Sequence, residues 1–409
     1  MSRVRQAALF LGLRQSIVGL LAMVVLLDMG ERMAEQFLPI YLMALGGGAA
    51  SVSLLNGLDN LLSALYAFPG GYLSHRLGVK RALLLFNLMA IAGFLVVILI
   101  PRWEAVIAGS FLFISWTAIS QPASMSLIAK ALPAQKRTMG VSMHSLVRRI
   151  PMALGPLLGG TFIARWGETD GVRYAFVAAA AMGLVAMVVQ QRLINDDDGR
   201  PADGARGPER NPLRLLKTMC PELRSLLTSD ILIRFCEQIP YAFVVVWAMK
   251  VIPHPVGPVQ FGLLRSIEMA TAILVYLPVA SLADRTTKRP FVVATFVFFT
   301  AFPLVLLFSR SFVPLVFAFI LRGLKEFGEP ARKALILDLC PDDQKAGMFG
   351  AYYLARDLVV SLAAFSSFLL WQISPATNLL TAFAFGIIGT VWFALRGSAV
   401  GQTSALPNP

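Results

Sequence analysis

The chain has 409 residues, of which 57% are apolar and only 14% charged, and its formal net charge is +13. Soluble proteins carry nearer a quarter of charged residues, and a soluble core would not absorb this many apolar side chains without large exposed patches. Together with a mean hydropathy of +0.69, the composition excludes a soluble enzyme, a disordered protein and a secreted disulfide scaffold. It indicates a polytopic membrane protein.

A strongly basic chain is also typical of nucleic-acid binders, but the distribution of Lys and Arg argues against that class. These residues occur in short clusters between apolar runs, as in the cytoplasmic loops of membrane proteins. The three histidines and three cysteines show no metal-ligand spacing, and no Walker motif or strand-borne GxGxxG is present. The sequence therefore predicts no metal, no cofactor, no nucleic-acid partner and no enzymatic activity.

Apolar stretches that cross a bilayer as helices need about 20 residues, because the backbone finds no water partners in the hydrocarbon. Twelve such stretches follow one another between turn signals made by Gly and Pro. They cover residues 16–44, 51–73, 82–100, 105–132, 139–164, 173–190, 222–251, 257–283, 290–308, 311–339, 346–373 and 377–396. The first stretch is predicted to be a retained span, since no signal-peptidase site follows it.

One long polar segment interrupts this series, from Gln191 to Arg214. Its acidic run, its Gly and Pro residues and its scattered Arg residues are typical of a flexible linker. The predicted domains are an N-terminal six-helix bundle (1–190), a cytoplasmic linker (191–221), a C-terminal six-helix bundle (222–396) and a cytoplasmic tail (397–409).

The orientation follows from the positive-inside rule. With the N-terminus inside, the inner segments hold 21 Lys and Arg residues and the outer segments hold 5. This asymmetry predicts that both termini and the linker lie in the cytoplasm.

The two halves repeat each other. Residues 122–133 recur as 330–341 with an offset of 208, and Arg148 recurs as Arg356 at the same offset. In the first span of each half, an acid is followed by Arg four positions later and by Glu seven positions later, with an offset of 202; these residues are Asp28, Arg32 and Glu35, and Asp230, Arg234 and Glu237. A same-sense repeat with an even number of spans predicts two pseudo-symmetric bundles related by an axis along the membrane normal.

Charged residues inside the predicted spans cost about 2.5–3.5 kcal/mol each at a helix centre, so they must face a cavity, pair with one another or lie near an interface. Glu35 and Glu237 are the leading candidates for proton binding; static salt bridges between helices are the alternative. The full set of proton-coupling or cavity candidates is Asp28, Glu31, Arg32, Glu35, Asp59, Arg148, Asp230, Arg234, Glu237, Arg265, Glu268, Arg322, Lys325, Glu326 and Arg356.

Residues 71–81, G-Y-L-S-H-R-L-G-V-K-R, resemble the signature G-x-L-a-D-r-x-G-r-[KR] between spans 2 and 3 of the major facilitator superfamily, with His75 in place of the usual Asp. The resemblance implies the twelve-helix fold of that family and loops that latch its cytoplasmic side; the alternative is an ordinary solvated basic loop. The latch residues implied in the two halves are Gly71, His75, Arg76, Gly78, Lys80, Arg81, Asp284, Arg285, Lys288 and Arg289.

The fifth predicted span contains Gly155, Pro156, Gly159 and Gly160, similar to the G-P-x-x-G-G core of the family's antiporter motif. The resemblance is to the drug/proton antiporter-like branch, which implies export. A packing kink made by small residues and Pro is the alternative.

The sequence and the resemblance together predict a secondary transporter that moves a small organic solute by alternating access, with proton-coupled export as the favoured mode. The expected partners are the small-molecule substrate, protons and the lipid bilayer, and the expected state is a multi-pass monomer in a bacterial inner membrane. Two alternatives stay open: an uptake symporter or facilitator for a charged or polar metabolite, and a lipid flippase on the same fold.

Overall fold

The computed structural model describes residues 15–114, 116–131, 134–194, 212–283, 287–341 and 345–396, and the regular structure in these ranges is helical throughout. The first half contains α1 (Gln15–Glu35), α2 (Leu38–Ala44), α3 (Gly48–Leu77), α4 (Val79–Leu99), α5 (Trp103–Phe113), α6 (Trp116–Ala131) and α7 (Ala134–Leu193). The second half contains α8 (Pro212–Thr218), α9 (Pro221–Tyr241), α10 (Val244–Val246), α11 (Pro258–Ala283), α12 (Arg289–Phe308), α13 (Phe312–Leu324), α14 (Glu329–Asp338), α15 (Lys345–Ile373) and α16 (Pro375–Arg396).

The prediction of an all-helical membrane protein is confirmed. Within the described ranges, seven helices are long and apolar enough to cross a membrane, or eight if α9 and the segment after it, bent by 43°, form one span. The count of twelve spans stays a prediction.

Proline explains two of the interruptions that apolar run length does not reveal. It lacks a backbone N–H and is best tolerated in the first turn of a helix. Pro39 stands in the first turn of α2 and Pro330 in the first turn of α14, so the predicted spans 16–44 and 311–339 are each divided into two helices. These breaks follow Glu35 and include Lys325, and both side chains belong to the site described below.

Two glycines change the chain direction where a side chain would be strained. Gly78 joins α3 to α4 with φ +83°, and Gly167 has φ +80° inside α7. At Gly167 the helical geometry stops, and α7 is in effect two helices that meet there. Left-handed backbone of this kind favours glycine.

The described residues fall into two compact units, within the bounds Met1–Ser51, Leu62–Gly204 and Gly257–Ser266 for the first, and Val52–Leu61, Ala205–Val256 and Ile267–Pro409 for the second. Helices α3 and α11 therefore contribute to both units, which differs from a simple division of the chain at the linker.

In the first unit α1 packs along α7. Gly30 allows this approach, since a Cβ at that position would lie 2.8 Å from the Cα of Ala179. In the same unit a buried polar chain links three helices: Trp116 donates to Asn87 at 2.9 Å, and Asn87 donates to Gln190 at 2.6 Å. Buried amides are tolerated because their hydrogen bonds are made internally.

In the second unit α9 packs against α15 and α16, and α12 packs against α16. Its apolar core includes Leu215 and Met219 from α8 and the segment after it. These two residues belong to the stretch predicted as the linker, so the end of that stretch is anchored in the core of the second unit.

Candidate functional site

The first cluster of charges lies in the first unit, where α1, α6 and α7 meet. Asp28 on α1 is completely buried, and Arg148 on α7 donates from Nε to its carboxylate at 2.9 Å. Arg148 Nη2 also donates to the hydroxyl of Thr117 on α6 at 3.0 Å. Because a single charge in a low-dielectric interior is strongly disfavoured, the pair holds both partners in place.

One turn further along α1, Arg32 donates from Nη1 to Glu35 at 2.7 Å. Asp28, Arg32 and Glu35 occupy positions i, i+4 and i+7, which share one face of a helix. The sequence predicted this grouping. Glu31, between them in the chain, is also buried.

The second cluster lies in the second unit around Asp230 on α9, which is 1% exposed. Arg332 on α14 forms an ion pair with it. Arg356 on α15 lies 3.4 Å away, and the Tyr352 hydroxyl donates to the same carboxylate at 3.2 Å. With Arg234 Nε at 4.0 Å, three guanidinium groups surround one carboxylate.

Arg332 connects Asp230 to a second acid. It donates to Glu329 from Nε at 3.0 Å and from Nη2 at 2.7 Å, which is the bidentate geometry that guanidinium offers. Neither Arg332 nor Glu329 is among the site residues predicted from the sequence. The sequence feature that could have identified them is that both are charged residues inside a predicted span.

Glu237 lies between two cations in the same unit. Arg234 Nη1 donates to it at 2.6 Å, and Lys325 Nζ donates at 2.7 Å. Lys325 also approaches Glu268 on α11 at 3.8 Å, and Arg322 Nε lies 3.4 Å from the same acid. Lys325 therefore bridges two carboxylates at the break between α13 and α14.

Aromatic rings face these cations. The Arg322 guanidinium lies 5.3 Å from the ring centre of Tyr241 and 5.1 Å from that of Phe302, within the range of cation–π attraction. Lys325 lies 5.8 Å from the ring centre of Phe299. Glu237, Arg322 and Lys325 thus line a small pocket with phenylalanine rings from α12.

The internal repeat of the sequence reappears as a repeat of ion pairs. The acid on the first predicted span of each half pairs with an Arg on the fifth predicted span of that half, and an Arg–Glu pair lies one turn further on. The recurring pairs are Asp28–Arg148 with Asp230–Arg356, and Arg32–Glu35 with Arg234–Glu237.

The remaining predicted cavity residues are Asp59, Arg265 and Glu326. Asp59 is half-buried on the part of α3 that belongs to the second unit, and Arg265 lies on the part of α11 that belongs to the first. Glu326 is half-buried in the turn between α13 and α14.

The glycines of the predicted antiporter motif lie where α7 meets α1 and the start of α11. A Cβ on Gly155 would lie 2.6 Å from the Cβ of Arg32, and one on Gly159 would collide with the carbonyl oxygen of Met33. A Cβ on Gly160 would lie 2.5 Å from the carbonyl oxygen of Pro258. Pro156 lies inside α7 between these contacts, so the motif is a close helix-packing surface.

Part of the predicted latch is described. Arg76 donates to the Tyr72 hydroxyl at 3.3 Å, and Lys288 pairs with Asp338. Arg289 donates to the carbonyl oxygen of Ala394 at 2.5 Å. Asp284 and Arg285 lie outside the described residues, and so does the side chain of His75, while Gly71 belongs to α3. Lys80 and Arg81 lie in the first turn of α4, directly after Gly78.

Chemically, the two clusters are arrays of buried carboxylates held by cations, with little net charge. Such arrays can exchange partners when a proton or a charged solute enters. Among the residues that the structure describes, no group of three or more His, Cys, Asp or Glu side chains could hold a metal ion.

Comparisons with solved structures place the fold. The chain is similar to a bacterial homologue of the human lysosomal transporter Spinster in an inward-facing, unoccupied conformation, with a TM-score of 0.75, 13% identity, and coverage of 96% of this chain and 98% of that one. It is also similar to a POT family transporter in complex with 5-aminolevulinic acid (TM-score 0.76, 11% identity, 93% and 96% coverage) and to a POT peptide transporter in complex with sulfate (TM-score 0.73, 16% identity, 95% and 95% coverage).

No curated protein matches the sequence. The family comparison is decisive, because the sequence profile of the Major Facilitator Superfamily matches residues 20–252, more than half of the chain. With its helical architecture and its structural neighbours, this multi-pass membrane protein belongs to the Major Facilitator Superfamily of transporters.

Proposed function

We propose that the protein is a secondary active transporter that exports a small organic solute by alternating access, driven by protons. The family and the fold support a secondary transporter. The proton coupling, the direction and the class of solute are the proposal.

One observation carries it: at repeat-equivalent positions, each half holds a buried acid paired with Arg and an adjacent half-buried Arg–Glu pair. Buried charges are expensive in a membrane protein and usually mark a substrate or proton path. A static network would stabilise one packing of the helices, whereas a protonatable network changes its pairing as protons enter and leave. The recurrence in both halves favours a role in the transport cycle.

The direction of export rests on the antiporter-like glycine motif of α7. The excess of Lys and Arg on one side supports a bacterial inner-membrane location with both termini in the cytoplasm. The protein is proposed to work as a monomer, with the solute and protons as its partners.

The test is transport current from proteoliposomes on a solid support, recorded with and without a pH gradient. The solute panel contains lipophilic cations, organic anions, amino acids, sugars and short peptides. We expect at least one solute to give a current that reverses when the gradient is reversed. A current that does not respond to the pH gradient would contradict proton coupling. Silence across the panel, in protein shown to be folded, would favour electroneutral transport or a lipid substrate, and a lipid-scrambling assay would come next.

Glu35→Gln and Glu237→Gln are expected to abolish the gradient-driven current while leaving the protein folded, because the amide keeps the size of the side chain but cannot exchange a proton. Glu104→Gln is the matched control. Glu104 is exposed at the start of α5 and lies 3.2 Å from Arg102, which is also exposed. The current of the Glu104→Gln variant should therefore match that of the unsubstituted protein. Full gradient-driven current in both site variants would remove these two residues from the coupling.

A second candidate is uptake of a polar metabolite together with protons. The pocket at Glu237, Lys325 and Arg322 offers one carboxylate and two cationic side chains beside phenylalanine rings. This combination suits a zwitterion with an apolar part. In the same assay, proton-coupled uptake moves the solute in the same direction as the protons. Antiport moves the solute in the opposite direction to the protons.

A further inference from the structure

Three arginines of the second unit are oriented by neutral groups instead of by acids. Arg224 lies in the first turn of α9, Arg289 at the start of α12 and Arg396 at the end of α16. In the part of the chain that the structure describes, none of the three forms an ion pair. Elsewhere even exposed arginines have a carboxylate partner, as Arg102 and Arg173 do.

Two of these guanidinium groups are held by backbone carbonyl groups. Arg224 Nη2 donates to the carbonyl oxygen of Lys217 on α8 at 2.6 Å, and Arg289 Nη2 donates to that of Ala394 on α16 at 2.5 Å. Each hydrogen bond uses one of the five N–H donors of a guanidinium group. The carbonyl groups therefore fix the position of the positive charge without neutralising it.

Arg396 is held by an aromatic ring. Its guanidinium carbon lies 4.0 Å from the ring centre of Trp392, one turn earlier on α16, which is within cation–π distance. The indole Nε1 of Trp392 donates in turn to the hydroxyl of Ser225 at 3.2 Å. Because Ser225 directly follows Arg224, the contact between α9 and α16 places Arg224 and Arg396 at the same end of one helix pair.

The surface of α16 that leads to this end is apolar. Ile388, Val391 and Leu395 are spaced by three and four positions, share one face of the helix, and are 53%, 48% and 72% exposed. Helix α16 is long and apolar enough to cross a membrane, so this face meets lipid acyl chains. Tryptophan at the end of a span is typical of the membrane–water interface. The arginines thus lie at the level of the lipid headgroups, on the cytoplasmic side in the proposed orientation.

The acids described near this helix end have other partners. Glu222, in the same turn as Arg224, interacts with Cys220, and Asp338 pairs with Lys288. The general enrichment of basic residues in cytoplasmic segments explains why arginines occur here. It does not explain why three guanidinium groups are fixed around one helix end by neutral partners.

We propose that this helix end is a binding site for an anionic phospholipid. The headgroup phosphate accepts hydrogen bonds from Arg224 and Arg396, and Arg289 adds positive charge at the same helix end. Guanidinium suits phosphate because its planar set of N–H donors matches the phosphate oxygens. Basic sites between the cytoplasmic ends of membrane helices bind anionic headgroups in this way. A soluble phosphate compound would gain the same hydrogen bonds without the contact between an acyl chain and the apolar face of α16, so the site takes a lipid.

The test is native mass spectrometry of the full-length protein in detergent, titrated with phosphatidylglycerol or with phosphatidylethanolamine of the same acyl chains. We expect the first phosphatidylglycerol to bind about tenfold more tightly than the first phosphatidylethanolamine, because only phosphatidylglycerol carries a net negative charge. Arg224→Gln combined with Arg396→Gln should lower the affinity for phosphatidylglycerol about tenfold or more and leave the affinity for phosphatidylethanolamine unchanged. Both side chains are exposed, so we expect the double variant to fold.

Arg165→Gln is the matched control. Arg165 is also exposed and lies 5.4 Å from the ring centre of a neighbouring tryptophan, Trp166, in the first unit. Its substitution removes an Arg–Trp contact without touching the proposed site, so the affinity for phosphatidylglycerol should not change. Equal affinities of the unsubstituted protein for the two lipids would overturn the proposal. An equal loss in Arg165→Gln and in the double variant would also overturn it, because the attraction would then be a general property of the surface.

Glycerol 3-phosphate distinguishes a lipid from a soluble phosphate compound. At millimolar concentration it should leave phosphatidylglycerol bound, because it lacks acyl chains. Displacement of the lipid by glycerol 3-phosphate would overturn the lipid as the ligand of this site. The measurement requires neither a solute nor a pH gradient, so its result is independent of the proposed transport function.

Discussion

Replacing Arg332 with Met is expected to cause a larger loss of stability than any other change of a single charge described here, about 3–5 kcal/mol. Arg332 is 1% exposed, pairs with Asp230 and forms two hydrogen bonds with Glu329. Removing it takes away the cation that Asp230 and Glu329 share, and Arg234, at 4.0 Å from Asp230 and 3.8 Å from Glu329, does not replace its hydrogen bonds. The measurement is thermal unfolding in detergent, monitored as the fraction of protein that remains monodisperse after heating.

Lys333→Met provides the control on the neighbouring residue. Lys333 also approaches Glu329, at 3.5 Å, but its side chain is 46% exposed. Pairs that water screens contribute little, about 0–1 kcal/mol, so this variant should melt close to the unsubstituted protein. Arg332→Lys should fall between the two, because it keeps the charge but loses the bidentate geometry. Equal melting temperatures for Arg332→Met and Lys333→Met would show that the cluster around Asp230 is not a stabilising element.

The sequence predicts those parts of the site that depend on one helix. The common face of Asp28, Arg32 and Glu35 follows from the helical period, and Arg32 pairs with Glu35 on that face. The partners of Asp28 and Asp230 do not follow in this way. Arg148 and Arg332 lie more than 100 positions from the acids they contact, and helix packing alone decides that they meet.

The same distinction applies to the fold. Apolar run length predicts the helices, because bilayer thickness fixes the length they need. It does not predict that α3 and α11 each contribute to both compact units, since this depends on contacts between distant segments. Ser53 on α3, for example, lies 2.8 Å from Ser367 on α15 through their hydroxyl groups.

Replacing Gly159 with Ala is the second change with a large expected effect, and its sign opposes the usual helix propensity. In most helices Ala is more favourable than Gly by about 0.5–1 kcal/mol. At Gly159 the added methyl group would collide with the carbonyl oxygen of Met33 on α1. The backbone there has no freedom to turn away, so α1 and α7 must separate, and overpacking of this kind typically costs about 1–3 kcal/mol.

Gly350→Ala is the matched control, because Gly350 also lies inside a helix, α15, and a Cβ there meets nothing within 4 Å. We expect the melting temperature of this variant to stay the same or rise, while that of Gly159→Ala falls. The expected loss extends to transport, because α1 and α7 carry the two partners of the Asp28–Arg148 pair, and helices held apart at Gly159 cannot keep Arg148 at hydrogen-bond distance from the acid. Gradient-driven current should therefore decrease in Gly159→Ala even at temperatures well below its unfolding. An unchanged current together with an unchanged melting temperature would mean that the glycines of α7 neither fix the helix contact nor position the ion pair.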